Sequence, residues 1–157
     1  MTSNVIQLQN ICNQVTVYNY SSETIPGPIT LEILTNGIPI GFSLIYQTNI
    51  SCKPNESVSL TRKNPNSSTE DSRKRTTDEP YGITLAAGIT INGNHLNNNY
   101  LPINLETGLN GVLATSKATG IYPPLNIRTQ LKLDYTYVRN STLYKWSLIN
   151  IGITFGP

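Results

Sequence analysis

Apolar and polar residues alternate along most of this chain, and a period of two favours β-strands over helices. The segment 131–138 shows it clearly, with an apolar face formed by Leu131, Leu133, Tyr135 and Tyr137. No helical pattern of 3.6 residues extends beyond two turns. The sequence therefore predicts an all-β chain. We expect a single jelly-roll-like β-sandwich with an extended N-terminal arm and one long polar loop.

The alternation changes phase within the last strand, residues 143–155. Its apolar residues first take even positions (Tyr144, Trp146, Leu148) and then odd ones (Ile149, Ile151, Ile153, Phe155). A shift of one residue predicts a β-bulge near Leu148, or a strand that passes from one sheet to another.

The strongest turn signal is Asn36-Gly37, which separates two alternating segments, 29–35 and 38–44. Asn-Gly is the preferred pair for a two-residue hairpin turn because both central residues need positive φ. In that register the numbers of opposed residues add up to 73, which predicts three apolar pairs: Ile33 with Ile40, Leu31 with Phe42, and Ile29 with Leu44.

Pro39 lies near the start of the second strand of this hairpin. Proline has no N–H, so it is tolerated in a strand only where that side is an edge or a bulge. The sequence therefore predicts that this strand is unpaired on its outer side, at least near its start.

Weaker alternation predicts further strands at residues 5–9, 14–20, 57–61, 83–91 and 111–115. The region 92–110 is rich in asparagine and glycine instead, as in Asn92-Gly93 and Asn97-Asn98-Asn99. Such residues are typical of turns, so we expect turns and loops there.

Charge is concentrated in one window, because nine of the chain's twenty charged residues lie between Arg62 and Glu79. This window is too polar for a core and predicts a flexible, solvent-facing insertion at about 62–80. It would interrupt a single domain, residues 14–157, that follows an arm at residues 1–13. The low charge of the remaining chain suggests that parts of its surface are buried against other chains.

Composition also argues against several partners. The net charge is only +2, which gives no steering field for nucleic acid or anionic lipid. No apolar stretch approaches the roughly 20 residues of a membrane helix, and the N-terminal residues do not resemble a signal peptide. We therefore expect neither nucleic acid nor membrane as a partner.

Few residues could perform chemistry. His95 is the single histidine, and no metal-binding spacing, phosphate loop or nucleophile motif occurs. The sequence predicts that the chain is not an enzyme and binds no cofactor and no metal. The two cysteines, Cys12 and Cys52, leave three states open: a disulfide within the chain, a disulfide between subunits, or buried free thiols.

Two functions fit this pattern. The first is a structural subunit that assembles with copies of itself through its N-terminal arm, by adding a strand to a neighbour. Its candidate assembly contacts are Val5, Ile6, Leu8, Ile11, Cys12 and Cys52. The alternative is a glycan- or receptor-binding head, such as a fibre tip or a lectin, because loop aromatics beside asparagines suit carbohydrate. Its candidate ligand-binding residues are Asn97, Asn98, Asn99, Tyr100 and Tyr122.

The order of residues at 27–31, at the Asn36-Gly37 turn and at 57–63, with a final apolar strand, resembles bacterial endospore-appendage pilus subunits over about a quarter of the chain. That resemblance implies a jelly roll whose N-terminal arm bonds neighbouring subunits through cysteines. Cys12 would take that part here, with Cys52 as the acceptor. Independently of the resemblance, the low charge outside the 62–79 window, the lack of a site for chemistry and the lack of a signal peptide lead us to expect that the first function is an extracellular filament or shell on a spore, cell or virion.

Overall fold

The computed structural model describes residues 3–9, 11–36, 43–63, 72–75, 84–106, 113–121, 124–138 and 141–156. These residues form eleven strands and no helix, so the predicted all-β class is confirmed. In chain order the strands are β1 Ser3–Gln9, β2 Gln14–Asn19, β3 Ile29–Asn36, β4 Ser43–Thr48, β5 Ser57–Arg62, β6 Ser72–Arg75, β7 Thr84–Ile91, β8 Asn94–Glu106, β9 Leu113–Ile121, β10 Pro124–Val138 and β11 Ser141–Phe155.

The strands form one mixed, curled sheet. Its order is β10-β9-β8-β7-β3-β4-β5-β2-β11-β1-β6, and β10 also pairs with β11. Because β10, the first strand in this order, also pairs with β11, the nine strands from β10 through β9, β8, β7, β3, β4, β5 and β2 to β11 form a closed ring. Strands β1 and β6 lie outside this ring. Strands β1 and β2 run parallel to successive parts of β11, and the other described pairings are antiparallel.

The core lies inside this curled sheet and follows from the alternation. On β2, Val15 and Val17 are fully buried while Gln14 and Thr16 are exposed. The same rule places Ile29, Leu31 and Ile33 of β3 in one hydrophobic cluster with Leu125, Ile127, Ile151, Ile153 and Phe155. Each fully buried aliphatic or aromatic side chain contributes about 1.5–3 kcal/mol, so these inward faces hold the sheet in its curl.

The bulge predicted near Leu148 is confirmed. The register of β10 against β11 shifts between Gln130, opposite Asn150, and Leu131, opposite Leu148. Ile149 is the residue left without an opposite partner, and it is 45% exposed. The extra residue lets Leu148 and Ile151 both point into the core, as the change of phase requires.

The predicted Asn36-Gly37 hairpin register is wrong. Strands β3 and β4 do pair, but Ile33 stands opposite Leu44 and Leu31 opposite Tyr46, so opposed numbers add up to 77. Asn36 is the last residue of β3, and Gly37, Ile40 and Phe42 lie outside the described residues. A slip of four residues keeps the same side chains on the buried face, so the apolar pattern could not distinguish the two registers.

A two-residue Asn-Gly turn occurs elsewhere. Asn92 and Gly93 join β7 to β8, with φ values of 50° and 80°. Positive φ at both central residues is the type I′ geometry that matches the twist of a hairpin. Ile91 therefore stands opposite Asn94, and Thr90 opposite His95.

The turns and loops predicted for residues 92–110 are largely wrong, because β8 occupies Asn94–Glu106. Strand β8 pairs with β7 on one side and with β9 on the other. Its register against β7 shifts at Gly88, between Leu96 and Leu101, so residues 97–100 interrupt the regular pairing of the two strands. The pairing of residues 94–96 and 101–103 with β7, and the burial of Ile103, keep the flanking residues in the strand despite the low β-propensity of asparagine.

The unpaired edge predicted near Pro39 stays a prediction, because Pro39 lies outside the described residues. Further along β4, Tyr46 and Gln47 pair with β5, and the Lys63 N–H donates a hydrogen bond of 2.7 Å to the Ile45 carbonyl. This part of β4 lies between β3 and β5 in the ring.

The charged window is not entirely a solvent-facing loop. Arg62 ends β5 and is only 6% exposed, because it follows Leu60 on the buried face of that strand. Residues 72–75 form β6, which pairs with β1. Residues 64–71 and 76–83 lie outside the described part of the chain.

Candidate functional site

A groove opens on the outer face of β10 and β11. It has a volume of about 370 Å³ and is lined by Tyr20, Asn126, Arg128, Gly152, Thr154 and Gly156. Four of these are the outward positions of the two strands, since Leu125, Ile127, Ile151 and Ile153 point into the core. In the register, Asn126 stands opposite Thr154 and Arg128 opposite Gly152.

Tyr20 forms one wall of the groove and is 52% exposed. Its backbone N–H donates a hydrogen bond of 2.6 Å to the Phe155 carbonyl, which ties the end of β2 to the end of β11. Its ring centroid lies 4.1 Å from that of Tyr18. The aromatic face is therefore held in place while half of it remains open to solvent.

Two glycines shape the groove. Gly156 has a φ of +98°, and a Cβ there would come within 2.7 Å of the Ser21 nitrogen, so the close approach of the two chain segments needs glycine. Gly152 is different, because a Cβ there would meet nothing within 4 Å. The missing side chain at Gly152 leaves open space beside Arg128.

Asn19 supports the groove from inside. It is fully buried, and its Nδ2 donates to the carbonyls of Glu23 and Cys52 at 2.6 and 3.0 Å. Its Oδ1 accepts from the backbone N–H and the hydroxyl of Ser21 at 2.9 and 2.6 Å. This set of bonds fixes the turn that carries Tyr20. A fully buried side chain also excludes glycan attachment at this Asn-Tyr-Ser site in the folded chain.

A second polar cluster is buried near the start of β2. The Tyr46 hydroxyl donates a hydrogen bond of 2.8 Å to the Cys12 carbonyl and lies 3.7 Å from its Sγ. Arg62 stands opposite Tyr46 in the β4–β5 register, and its backbone N–H donates to the Asn13 carbonyl at 2.8 Å. Within the described residues, the buried Arg62 Nη2 has no hydrogen-bond partner.

Burial dominates the electrostatics of this cluster. It raises the pKa of the Cys12 thiol, against smaller opposite effects of the Tyr46 hydrogen bond and the Arg62 charge. Burial and the nearby Cys12 raise the pKa of the Tyr46 phenol above its usual range. Burial and the Glu56 carboxylate likewise raise the pKa of Cys52. Both cysteines are thus protonated thiols at neutral pH, which makes them weak nucleophiles.

These shifts predict that the folded state loses stability in alkali. In the unfolded chain a thiol releases its proton at roughly pH 8.5 and a phenol at roughly pH 10, whereas the folded chain retains these protons. The stabilisation that these raised pKa values give the folded state is fully present below about pH 8.5 and is lost as the pH rises toward the pKa values of the folded chain. We expect the free energy of unfolding by urea to fall between about pH 8 and about pH 10.5. The fall should be smaller in Tyr46→Phe, and equal stability at both pH values would contradict the burial of these groups.

Three of the six candidate assembly contacts lie on β1, and the other three, Ile11, Cys12 and Cys52, do not. Val5, Ile6 and Leu8 lie on β1, where they stand opposite Leu143, Tyr144 and Trp146 of β11. Ile11 belongs to the chain's own core at 9% exposure. The Cys12 backbone N–H donates to the Leu148 carbonyl at 2.9 Å, and Cys52 is fully buried beside Ile25.

The structure has both cysteines as free thiols. Cys12 precedes β2, while Cys52 is bonded to Asn19 at the other end of that strand. A strand rises about 3.3 Å per residue, which separates the two by roughly 20 Å, whereas bridged Cα atoms lie within about 7 Å. A disulfide between them within one chain does not fit this fold.

The structure places the residues predicted to bind a ligand in two groups. Asn97, Asn98, Asn99 and Tyr100 lie on β8 rather than in a loop, and Tyr122 lies outside the described residues. Their role in binding stays a prediction. The described lining of the groove at Tyr20 combines an aromatic residue, Tyr20, with an asparagine, Asn126.

Sequence reasoning missed Asn126 and Arg128 because the strand predicted at 131–138 begins in fact at Pro124. The alternation of Leu125, Ile127 and polar neighbours was the signal that could have extended it. His95, the single histidine, is exposed on β8. Among the described residues no group of His, Cys, Asp or Glu could hold a metal ion, and no helix is long and apolar enough to span a membrane.

No protein-family model matches the chain, and the searches of curated proteins and of solved structures return no match. The resemblance to endospore-appendage subunits therefore stays a prediction.

Proposed function

We propose that this chain is a non-enzymatic structural subunit that assembles with copies of itself by exchanging strand β1. In this proposal the ring of strands is a single sandwich of the jelly-roll type, and the assembly is an extracellular filament or shell. The low charge of the strands outside the 62–79 window supports buried contacts between copies.

The observation that carries this proposal is the position of β1 outside the closed ring. Strand β1 pairs with residues 141–147 of β11 and with β6. The nine ring strands pair among themselves without it. If β1 leaves, residues 141–147 of β11 keep β10 on one side and present a free edge on the other. The β1 of a neighbouring subunit can add to that edge with the same hydrogen bonds, which is strand exchange.

Strand β6 suits a protective role at the outer edge of β1. It contains Arg73, Lys74 and Arg75, and β1 is its described neighbour. Charged residues on an edge strand oppose uncontrolled pairing with further chains. Exchange would therefore be limited to β1.

Removing residues 1–9 tests the proposal. The truncation stops before Ile11 because Ile11 belongs to the core and the Cys12 N–H is bonded to β11. We expect a folded monomer with a β-rich circular dichroism spectrum that no longer assembles, as measured by size-exclusion chromatography with light scattering.

Two substitutions of Ile6, one that breaks the pairing of β1 and one that preserves it, complement this truncation. Ile6→Pro removes a backbone N–H and should abolish assembly, because Ile6 pairs with β11 on one side and with β6 on the other. Ile6→Val keeps the N–H and the β-propensity and should assemble normally. A truncated chain that assembles like the full chain would refute exchange of β1.

A second candidate function is a glycan- or receptor-binding head, and the groove at Tyr20 supports it. A half-exposed aromatic ring beside amide, hydroxyl and guanidinium groups is a combination that binds sugars. Binding to a glycan array that is lost on Tyr20→Ala would support this function. A well-folded sample that binds no glycan would argue against it.

A further inference from the structure

We infer that the groove between Tyr20 and Arg128 binds a sugar that carries a carboxylate group. This inference deepens the second candidate function and rests on it. It names the chemical class of the ligand and the residue that would select it.

The charge of the groove lining favours an anionic group on the ligand. Arg128 is exposed on the outer face and lines the groove, and none of its six described lining residues is acidic. In the β9–β10 register a second cationic residue, Lys117, occupies the position opposite Arg128. The described lining of the groove therefore offers a positive charge without a negative one, which favours an anionic group on the ligand.

Geometry then favours a carboxylate on Arg128. A guanidinium binds a carboxylate through two parallel hydrogen bonds and so fixes its orientation as well as its charge. Gly152 stands opposite Arg128 on β11 and leaves open space beside it. The ligand's acidic group can approach the guanidinium from this open side.

The remaining lining residues suit a sugar ring. Tyr20 offers a half-exposed aromatic face at the other wall, on which the C–H face of a sugar can stack. Asn126 and Thr154 stand opposite each other on the floor between the two walls, and supply an amide and a hydroxyl for ring hydroxyl groups. The volume of about 370 Å³ falls at the small end of the range for ligand sites, as one or two sugar units require.

The test compares methyl glucuronoside with methyl glucoside, which lacks the carboxylate. Saturation-transfer NMR and titration of the folded full chain should show the acidic sugar binding about tenfold more tightly, as expected for a charge-assisted hydrogen bond. Sodium acetate is the probe for an anion alone and should bind at least about tenfold more weakly than the acidic sugar, because it lacks the contacts to Tyr20.

Four variants locate the site. Arg128→Gln should abolish the preference for the acidic sugar, and Tyr20→Ala should abolish binding of both sugars. Gly152→Val should fold normally, because a Cβ there meets no atom within 4 Å, yet block the open space and abolish binding. Gln130→Val introduces the same residue at an exposed position on β10 outside the groove and should bind like the unmodified chain.

The outcomes separate the inference from the function on which it rests. Equal binding of the two sugars, both lost on Tyr20→Ala, would overturn the acidic specificity and leave a glycan-binding head. Binding unaffected by Gly152→Val, or acetate binding as tightly as the acidic sugar, would overturn the assigned site. A folded chain that binds neither sugar and no glycan on an array would overturn both the acidic-sugar site and the glycan-binding head.

Discussion

Replacing Asn19 by alanine is expected to lower the free energy of unfolding by about 3 kcal/mol. The Asn19 side chain is fully buried and makes four hydrogen bonds, two to the carbonyls of Glu23 and Cys52 and two from Ser21. Alanine removes all four bonds from a fully buried position, and each hydrogen bond contributes about 0.5–1.5 kcal/mol. The Cys52 carbonyl keeps its bond from the Ile25 N–H and the Glu23 carbonyl keeps its bond from the Ser21 hydroxyl, which holds the cost near the middle of the summed range. Urea denaturation followed by circular dichroism measures the change.

Asn19→Asp sharpens this prediction. A carboxylate at this position would face the carbonyls of Glu23 and Cys52 where Nδ2 now donates. Burial and this repulsion raise the pKa of the introduced carboxyl, so its protonated form fits better. Asn19→Asp should therefore be more stable, relative to the unmodified chain, at about pH 4 than at about pH 7.

Asn13→Ala is the matched control. Asn13 is exposed, and its backbone carbonyl, which accepts the Arg62 N–H, survives the change. We expect an effect within about 0.5 kcal/mol. An equally small effect of Asn19→Ala would show that the bonds around Asn19 contribute little to the fold.

Phe155→Ala is expected to cost about 3–5 kcal/mol, the range for truncating a fully buried aromatic side chain. Phe155 has no exposed surface and ends β11, where it stands opposite Leu125 on one side and Asn19 on the other. Its carbonyl also accepts the Tyr20 N–H. Small domains have a total stability of about 5–15 kcal/mol, so this cavity should lower the urea midpoint severely.

The control for Phe155→Ala is Ile149→Ala on the same strand. Ile149 is the bulge residue and is 45% exposed. Its truncation should cost less than about 1 kcal/mol. If the two substitutions were equally costly, the assignment of inward and outward faces beyond the bulge would be wrong.

The period of two was the most informative property of the sequence. It predicted the all-β class, the positions of β2, β5 and β7, and the bulge at the phase change near Leu148. It could not set the register of β3 against β4, because a slip of four residues preserves both faces. It also failed on β8, where the asparagine-rich composition of residues 92–110 suggested turns and loops although residues 94–96 and 101–103 pair with β7 and residues 104–106 pair with β9.

The candidate site was less accessible to sequence reasoning. Tyr20 lies far from Asn126 and Arg128 in the chain, and they meet only because β2 and β10 both pair with β11. The position of Arg62 was also hard to predict from the sequence. Its charge suggested a surface position, whereas the alternation of β5 directs it to the buried face after Leu60.

Exchange of β1 is tested most directly by oxidising a mixture of two single variants, Val5→Cys and Leu143→Cys, that carry tags of different mass. Val5 stands opposite Leu143 in the β1–β11 register, so the two cysteines meet across that pairing. Neither variant can form this bond within its own chain. The native cysteines compete poorly, because burial raises the pKa of both thiols.

We predict a covalent heterodimer from the assembled mixture, seen on a non-reducing gel and absent when either variant is oxidised alone. A mixture that assembles but yields no heterodimer would contradict the exchange of β1 between subunits.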